Sequence, residues 1–128
     1  MTSDALFQKM THELRRGSLA LAVLQALRSE HYAYSLRKYL ADHGLDVDEG
    51  TLYPLVRRLE KDGILTSEWR NDAARKRRFY RLSDLGITLL PRLDHEWQQL
   101  AEALTRIKHT PNRSTSQEST SQTSKEAP

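Results

Sequence analysis

The sequence predicts a mainly α-helical protein with one small β-hairpin, and three observations carry that expectation. Apolar residues recur at three- and four-residue spacing through most of residues 4–109. The only alternation of period two lies in two short runs, ILTSEW (64–69) and FYRL (79–82), on either side of RNDAARKRR. The excess positive charge is local: residues 49–82 carry nine Lys/Arg against five Asp/Glu, whereas residues 1–48 carry six of each. A basic patch on a near-neutral body suggests a polyanionic partner.

The bounds are simple. A chain of 128 residues suffices for one domain with a core, not comfortably for two. There is no cysteine, which excludes disulfides and thiolate metal sites and permits a cytosolic setting. The longest apolar run, residues 19–24, is far too short to span a bilayer. The N-terminus MTSDALFQKM lacks a basic stretch followed by an apolar run, so no secretory signal is expected. A cytoplasmic protein without a membrane partner is the expectation.

Taking the elements in order, Asp4 or Ser3 can cap a first helix. Leu6, Met10 and Leu14, then Leu19, Val23, Leu24 and Leu27, keep a helical period to about residue 29. Gly17 interrupts it and Ser18 can cap a second segment, so one helix and two remain alternatives. The second half reads as core; Leu6 and Met10 in the first half read as part of a subunit interface. His31 and Tyr32 form an extended link to a second helix at 34–41 (YSLRKYLA), stopped at Gly44.

The third helix, residues 48–63 (DEGTLYPLVRRLEKDG), is the most informative stretch. Asp48 is a good N-cap, and Leu52, Leu55, Val56 and Leu59 at i, i+3, i+4 and i+7 form one buried stripe. On a 100° wheel the opposite face is centred on Gly50, Pro54, Arg57 and Lys61, with Tyr53, Thr51 and Arg58 beside it. Pro54 removes an amide donor and crowds the carbonyl of Gly50, a cost of roughly 3 kcal/mol in a helix interior. Gly63 ends the helix.

The hairpin follows, with Asn71-Asp72 as the turn candidate. From residue 70 to 81 its Arg70, Arg75, Lys76, Arg77, Arg78 and Arg81 oppose a single acid, Asp72. Trp69 and Phe79 read as core residues, and Glu60 as a member of an intrahelical ion pair. Ser83 then caps a fourth helix to about residue 109, with Pro91 expected to kink it. Its stripe runs Leu85, Leu89, Leu93, Trp97, Leu100, Leu104, Ile107, a heptad seam from Leu93 onward. That seam is longer than so small a domain can cover, so Leu93, Trp97, Leu100, Leu104 and Ile107 must pack on another chain or remain exposed, which soluble monomers avoid, and a dimer interface is the expectation. Residues 110–128 contain nine Ser/Thr among 19 and no large apolar side chain, so a disordered tail is expected.

Three helices and a two-stranded hairpin are the order of a winged helix–turn–helix. The expected organisation is a winged-helix DNA-binding domain with its N-terminal helix at 1–82, a C-terminal dimerisation helix at 83–109 and the tail at 110–128. The third helix fits the major groove of double-stranded DNA, where Arg suits guanine edges and Thr and Tyr suit phosphates or thymine methyls. A basic wing suits the backbone or the adjacent minor groove.

The sequence also resembles a known family, the PadR family of bacterial transcriptional regulators. Thr51-Leu52-Tyr53-Pro54, the helix end Arg58-Leu59-Glu60-Lys61-Asp62-Gly63, and Tyr80-Arg81-Leu82-Ser83 with Gly86 carry the likeness, which covers about residues 14–100. It implies a winged-helix homodimer that represses promoters, and the chain is similar to the subgroup with one short C-terminal helix. Thr51, Tyr53, Arg57 and Arg58 match the family's recognition-helix positions, and Arg75, Lys76 and Arg77 its wing tip. Ser35 and Lys38 are weaker candidates for phosphate contacts. A Trp at the place of Trp97 resembles the stacking platform for planar aromatic ligands of some short members. Two departures stand out: Ala33 replaces an expected glycine, and Asp48-Glu49 stands where Ser-Pro is common. The acids suit the helix dipole but repel a phosphate there.

Two rival readings remain: a ligand-sensing regulator with a planar-compound site at Trp97, and a winged helix serving a protein partner. The five histidines make no metal-ligand spacing, and no phosphate loop, nucleophile elbow or carboxylate pair stands out, so neither a cofactor nor an enzyme is expected.

Overall fold

A computed structural model describes residues 2–111. The elements are α1 (Ser3–Ala26), β1 (His31–Tyr32), α2 (Ala33–Asp42), α3 (Glu49–Lys61), β2 (Leu65–Asp72), β3 (Arg75–Leu82) and α4 (Asp84–Lys108). They form the mainly helical, winged-helix arrangement expected from the sequence. The chain divides into two compact units, Met1–Asp94 and His95–Pro128. Of the expected disordered tail, residues 112–128 lie outside the described residues.

In the first unit, α1 is one continuous helix of 24 residues, which settles the choice left open at Gly17. No atom lies within 4 Å of where a Gly17 Cβ would stand, so the glycine neither breaks the helix nor makes room for a neighbour. The cap is Thr2, not Ser3 or Asp4: its Oγ1 accepts from the Ala5 amide at 3.0 Å. The C-terminal half of α1 supplies Leu19, Val23, Leu24 and Leu27 to the core. They meet Leu36 and Leu40 of α2, Leu52, Val56 and Leu59 of α3, Leu65 and Leu82 of the sheet, and Leu90 of α4. Burying each of these side chains stabilises the fold by about 1.5–3 kcal/mol.

Both stops predicted at glycine are Schellman caps. Gly44 and Gly63 have φ of 91° and 83°, a region side chains disfavour. Leu45 N donates to Leu40 O at 2.8 Å and Ile64 N to Leu59 O at 3.0 Å. The second cap turns the chain from α3 directly into β2.

The sheet differs from expectation in three ways. It has three antiparallel strands in the order β1-β3-β2, because His31 and Tyr32 pair with Tyr80 and Phe79 rather than forming a free link. The hairpin strands are longer than predicted, and Leu65↔Leu82 through Asp72↔Arg75 fix the register. That register moves the turn from Asn71-Asp72 to Ala73-Ala74, with Ala73 at φ 58°. The core pair Leu65–Leu82 overrides the local turn preference of Asn-Asp.

Ser83 caps α4 as expected: its Oγ accepts from the Gly86 amide at 3.1 Å and donates to the Ile64 and Gly63 carbonyls. At the base of α4 the core-facing residues are Gly86 and Leu90, whereas Leu85, placed on the stripe by its spacing, is exposed. The helix assignment is continuous through Pro91. In the second unit, α4 continues from His95 with Trp97, Leu100, Leu104 and Ile107 exposed.

Candidate nucleic-acid interface

The interface is built on α3. Its apolar stripe is seated as the spacing predicts: Leu52, Val56 and Leu59 are buried and Leu55 half-buried. That seating turns Gly50, Thr51, Pro54, Arg57, Arg58 and Lys61 to solvent, with Tyr53 half-buried at the edge. The helix continues through Pro54. Among the described residues, Arg57, Arg58 and Lys61 have no carboxylate partner, so their charge is available outward.

The two acids at the start of α3 have local roles. Asp48 occupies the N-cap position but its side chain caps no backbone amide, because its Oδ1 accepts from the Thr51 hydroxyl at 2.8 Å instead. That bond holds the Asp48 carboxyl below the usual aspartate range. Glu49 meets the Arg37 guanidinium at 3.3 Å, while Arg37 Nε donates to the Val47 carbonyl at 3.1 Å. Arg37 therefore ties α2 to the start of α3 and offsets one of the two charges. Tyr53 is pushed upward in pKa by burial and then by Glu49, so its phenol remains a neutral hydrogen-bond donor.

The wing is joined to α3 by a contact that sequence reasoning missed. One nitrogen of Arg78 reaches both Glu60 carboxylate oxygens at 2.9 and 3.1 Å, and Arg78 Nε donates to Ser67 Oγ at 2.9 Å. Ser67 Oγ in turn donates to Glu60. Glu60 thus serves the sheet instead of the expected intrahelical pair. As both groups are partly exposed, the pair contributes about 1 kcal/mol or less, and its main effect is to fix orientation.

Pairing also redistributes the six wing cations. Arg70 binds Glu30 and Glu68 and lies 4.2 Å over the Phe79 ring. Phe79 is accordingly half-buried against Arg70 and Tyr32, not in the core where its aromatic character placed it. Arg77 folds back 4.3 Å over Tyr32 and sits 3.7 Å from Asp72, so it projects less than a wing-tip residue was expected to. Arg75 and Lys76 remain exposed without a carboxylate partner among the described residues. Trp69, expected in the core, is 57% exposed, because the strand has run past α3 at that point.

The remaining candidates divide. Lys38 is exposed and loosely paired with Asp42 at 3.1 Å. The Ser35 hydroxyl is engaged locally: it accepts from Tyr32 N, donates to Tyr32 O and contacts His31 Nδ1, each at 3.0 Å, as the cap of α2. Burial lowers the pKa of His31 in this cluster. A cleft of about 440 Å³ lies beside Thr51, Pro54 and Arg58, and Arg15, Arg16, Asp46 and Asp48 also line it. On α1, Leu6 and Met10 are exposed together with Phe7 and Leu14. Trp97 and Leu93 are each somewhat less than half exposed. No group of three or more metal-ligating side chains exists among the described residues, and none of their helices is long and apolar enough to cross a membrane.

A stripe-seated helix with free cations, latched to a basic two-stranded wing, defines a winged-helix DNA-binding protein. Residues 21–92, more than half of the chain, match the Transcriptional regulator PadR-like family, and the chain belongs to that family. Transcriptional regulator Rv3488 of Mycobacterium tuberculosis is 38% identical over 90 residues, which span 70% of this chain and 84% of that protein. The crystal structure of a PadR family transcriptional regulator from Eggerthella lenta superposes with a TM-score of 0.79 at 42% identity, covering 84% of this chain and 96% of that one. A PadR-like transcription factor from Bacteroides fragilis gives a TM-score of 0.66 at 32% identity, over 77% and 98% of the two chains. The protein is a transcriptional regulator of that family.

Proposed function

We propose that the protein is a homodimeric repressor of adjacent genes that reads a pseudo-palindromic operator. Two copies of α3 enter successive major grooves about one helical turn apart, and the wings follow the backbone on either side. The observation that carries this reading is the outward face of α3. Arg57, Arg58 and Lys61 stand there exposed without carboxylate partners among the described residues, around Gly50 and Pro54, neither of which has a long side chain. Such a face combines close approach with donors suited to guanine edges. Thr51 and Tyr53 add contacts at its margin, Arg75 and Lys76 extend the charge to the wing tip, and Lys38 adds a phosphate contact from α2. Ser35 and Arg77 serve mainly to shape α2 and the wing.

Residues 1–82 act as the DNA-binding part and residues 83–109 as the dimerisation helix in this reading. The exposed apolar side chains of α4 support it: Leu93, Trp97, Leu100, Leu104 and Ile107 exceed what a single chain covers. Leu6 and Met10 on α1 complete the contact. A planar ligand held between two Trp97 indoles is a second reading that depends on the same dimer, favoured by the partial exposure of that indole. Quenching of tryptophan emission by a panel of planar compounds tests it.

The deciding experiment compares a duplex selected from a random library with random duplex at matched salt. Arg57→Ala removes one contact from each subunit and should lower the affinity ratio between the two by about a hundredfold, about tenfold per base contact. An unchanged ratio removes Arg57 from base readout, and equal binding of both duplexes by the parent protein refutes sequence-specific recognition.

A further inference from the structure

We propose that Trp69 is itself a DNA contact. Its indole covers a deoxyribose at the groove edge and donates its N–H to a phosphate oxygen. This rests on the DNA-binding reading and adds to it a neutral residue that sequence reasoning had consigned to the core.

Register places Trp69 on the sheet face that looks toward α3. Its cross-strand partner is Arg78, and the same face carries Leu65, Ser67, Tyr80 and Lys76. Leu65 is buried and Ser67 is bonded to Glu60 of α3, so the sheet–helix contact ends one pleat before Trp69. The next outward side chain on that face is a large indole with 57% of its surface in solvent. It is not loose. The Arg78 guanidinium lies 5.6 Å and the Lys76 ammonium 5.9 Å from the ring centroid, a pair of cation–π contacts that hold the ring in place. Arg78 is in turn fixed by Glu60, so the indole is positioned relative to α3 through a chain of named bonds.

The surroundings choose the occupant. An indole flanked by Lys76 and Arg78, on a hairpin whose tip adds Arg75, presents an apolar plate inside a positive rim. A second copy of the same wing would bring like charges together, whereas a sugar–phosphate strand offers an apolar sugar face between anionic oxygens. The indole N–H is a donor without acceptor capacity, which matches phosphate.

The test uses the full-length chain and fluorescein-labelled duplexes, one selected from a random library and one random. Trp69→Ala should weaken binding to both by about tenfold while leaving the slope of log affinity against log salt unchanged. A neutral side chain releases no counterion, so only a disturbed wing, with Lys76 and Arg78 displaced, would alter the slope. Trp69→Phe should recover part of the loss by restoring a ring without the N–H. In a Trp97→Phe chain that sediments as the parent does and keeps its duplex affinity, where Trp69 is the remaining tryptophan, saturating duplex should shield its emission from acrylamide. Parental affinity in Trp69→Ala, a changed salt slope, or unchanged acrylamide quenching each overturns the proposal. Absence of binding to any duplex by the parent chain is a separate outcome that refutes the DNA reading and this inference with it.

Discussion

Two glycine-to-alanine substitutions should change stability in opposite directions. In Gly86→Ala the new methyl carbon would lie 2.3 Å from the Ile64 carbonyl oxygen and 3.1 Å from Leu82 Cδ2. A carbon–oxygen contact relaxes at about 3.3 Å, so the start of α4 or the Ile64 peptide must move by about 1 Å. Neither is free to do so. The Ile64 carbonyl accepts from both the amide and the hydroxyl of Ser83 at 3.0 Å, immediately beyond the cap of α3. Overpacking costs about 1–3 kcal/mol and a weakened hydrogen bond about 1 kcal/mol, against a helix-propensity gain of about 1 kcal/mol. The net expectation is a loss of about 2 kcal/mol. Gly17→Ala is the same chemical change inside α1 with nothing within 4 Å, and should gain about 1 kcal/mol. Urea unfolding followed by circular dichroism at one fixed protein concentration measures both, since association makes the midpoint concentration-dependent. Shifts of the same sign, or a Gly86→Ala protein as stable as the parent, would refute the packing argument at the α4 base.

Other expectations concern charge and assembly. Arg75→Ala and Lys76→Ala should each reduce the salt slope of DNA affinity by about two for the homodimer, about one per subunit, whereas Arg77→Ala should reduce it less, because Asp72 and Tyr32 already engage that guanidinium. Equal effects at all three positions would show that Arg77 swings out on binding. Leu100→Asp should yield monomers in sedimentation, and a dimer that survives it would remove the α4 seam from the interface.

The parts of the fold legible in the sequence are those set by local periodicity. The α3 stripe of Leu52, Val56 and Leu59, the caps at Gly44 and Gly63 and the Ser83 start of α4 each depend on residues within a few positions of one another. What escaped depends on contacts distant in sequence. His31 and Tyr32 become a strand only because β3 offers a partner nearly fifty residues later. The turn shifts to Ala73-Ala74 because the Leu65–Leu82 pair sets the register, and no local signal outweighs a buried pair. Charge was readable as composition but not as availability: Glu30 and Glu60 reach across the fold to Arg70 and Arg78, so the free cations of the wing tip reduce to Arg75 and Lys76. Trp69 was misjudged because an aromatic residue in an alternating strand reads as core unless one knows where the covering helix ends. The two acids before Thr51, hard to reconcile with a phosphate-facing helix start, each have a local partner: Asp48 accepts from the Thr51 hydroxyl and Arg37 clamps Glu49.

The most direct test of the account is hydroxyl-radical footprinting of the full chain on a selected duplex. A homodimer with α3 in successive major grooves should give two protected patches related by a two-fold axis, centred about one turn of 10 base pairs apart. Weaker protection should extend outward where the wings follow the backbone. A single patch, or protection without two-fold symmetry, would contradict the paired-recognition-helix reading.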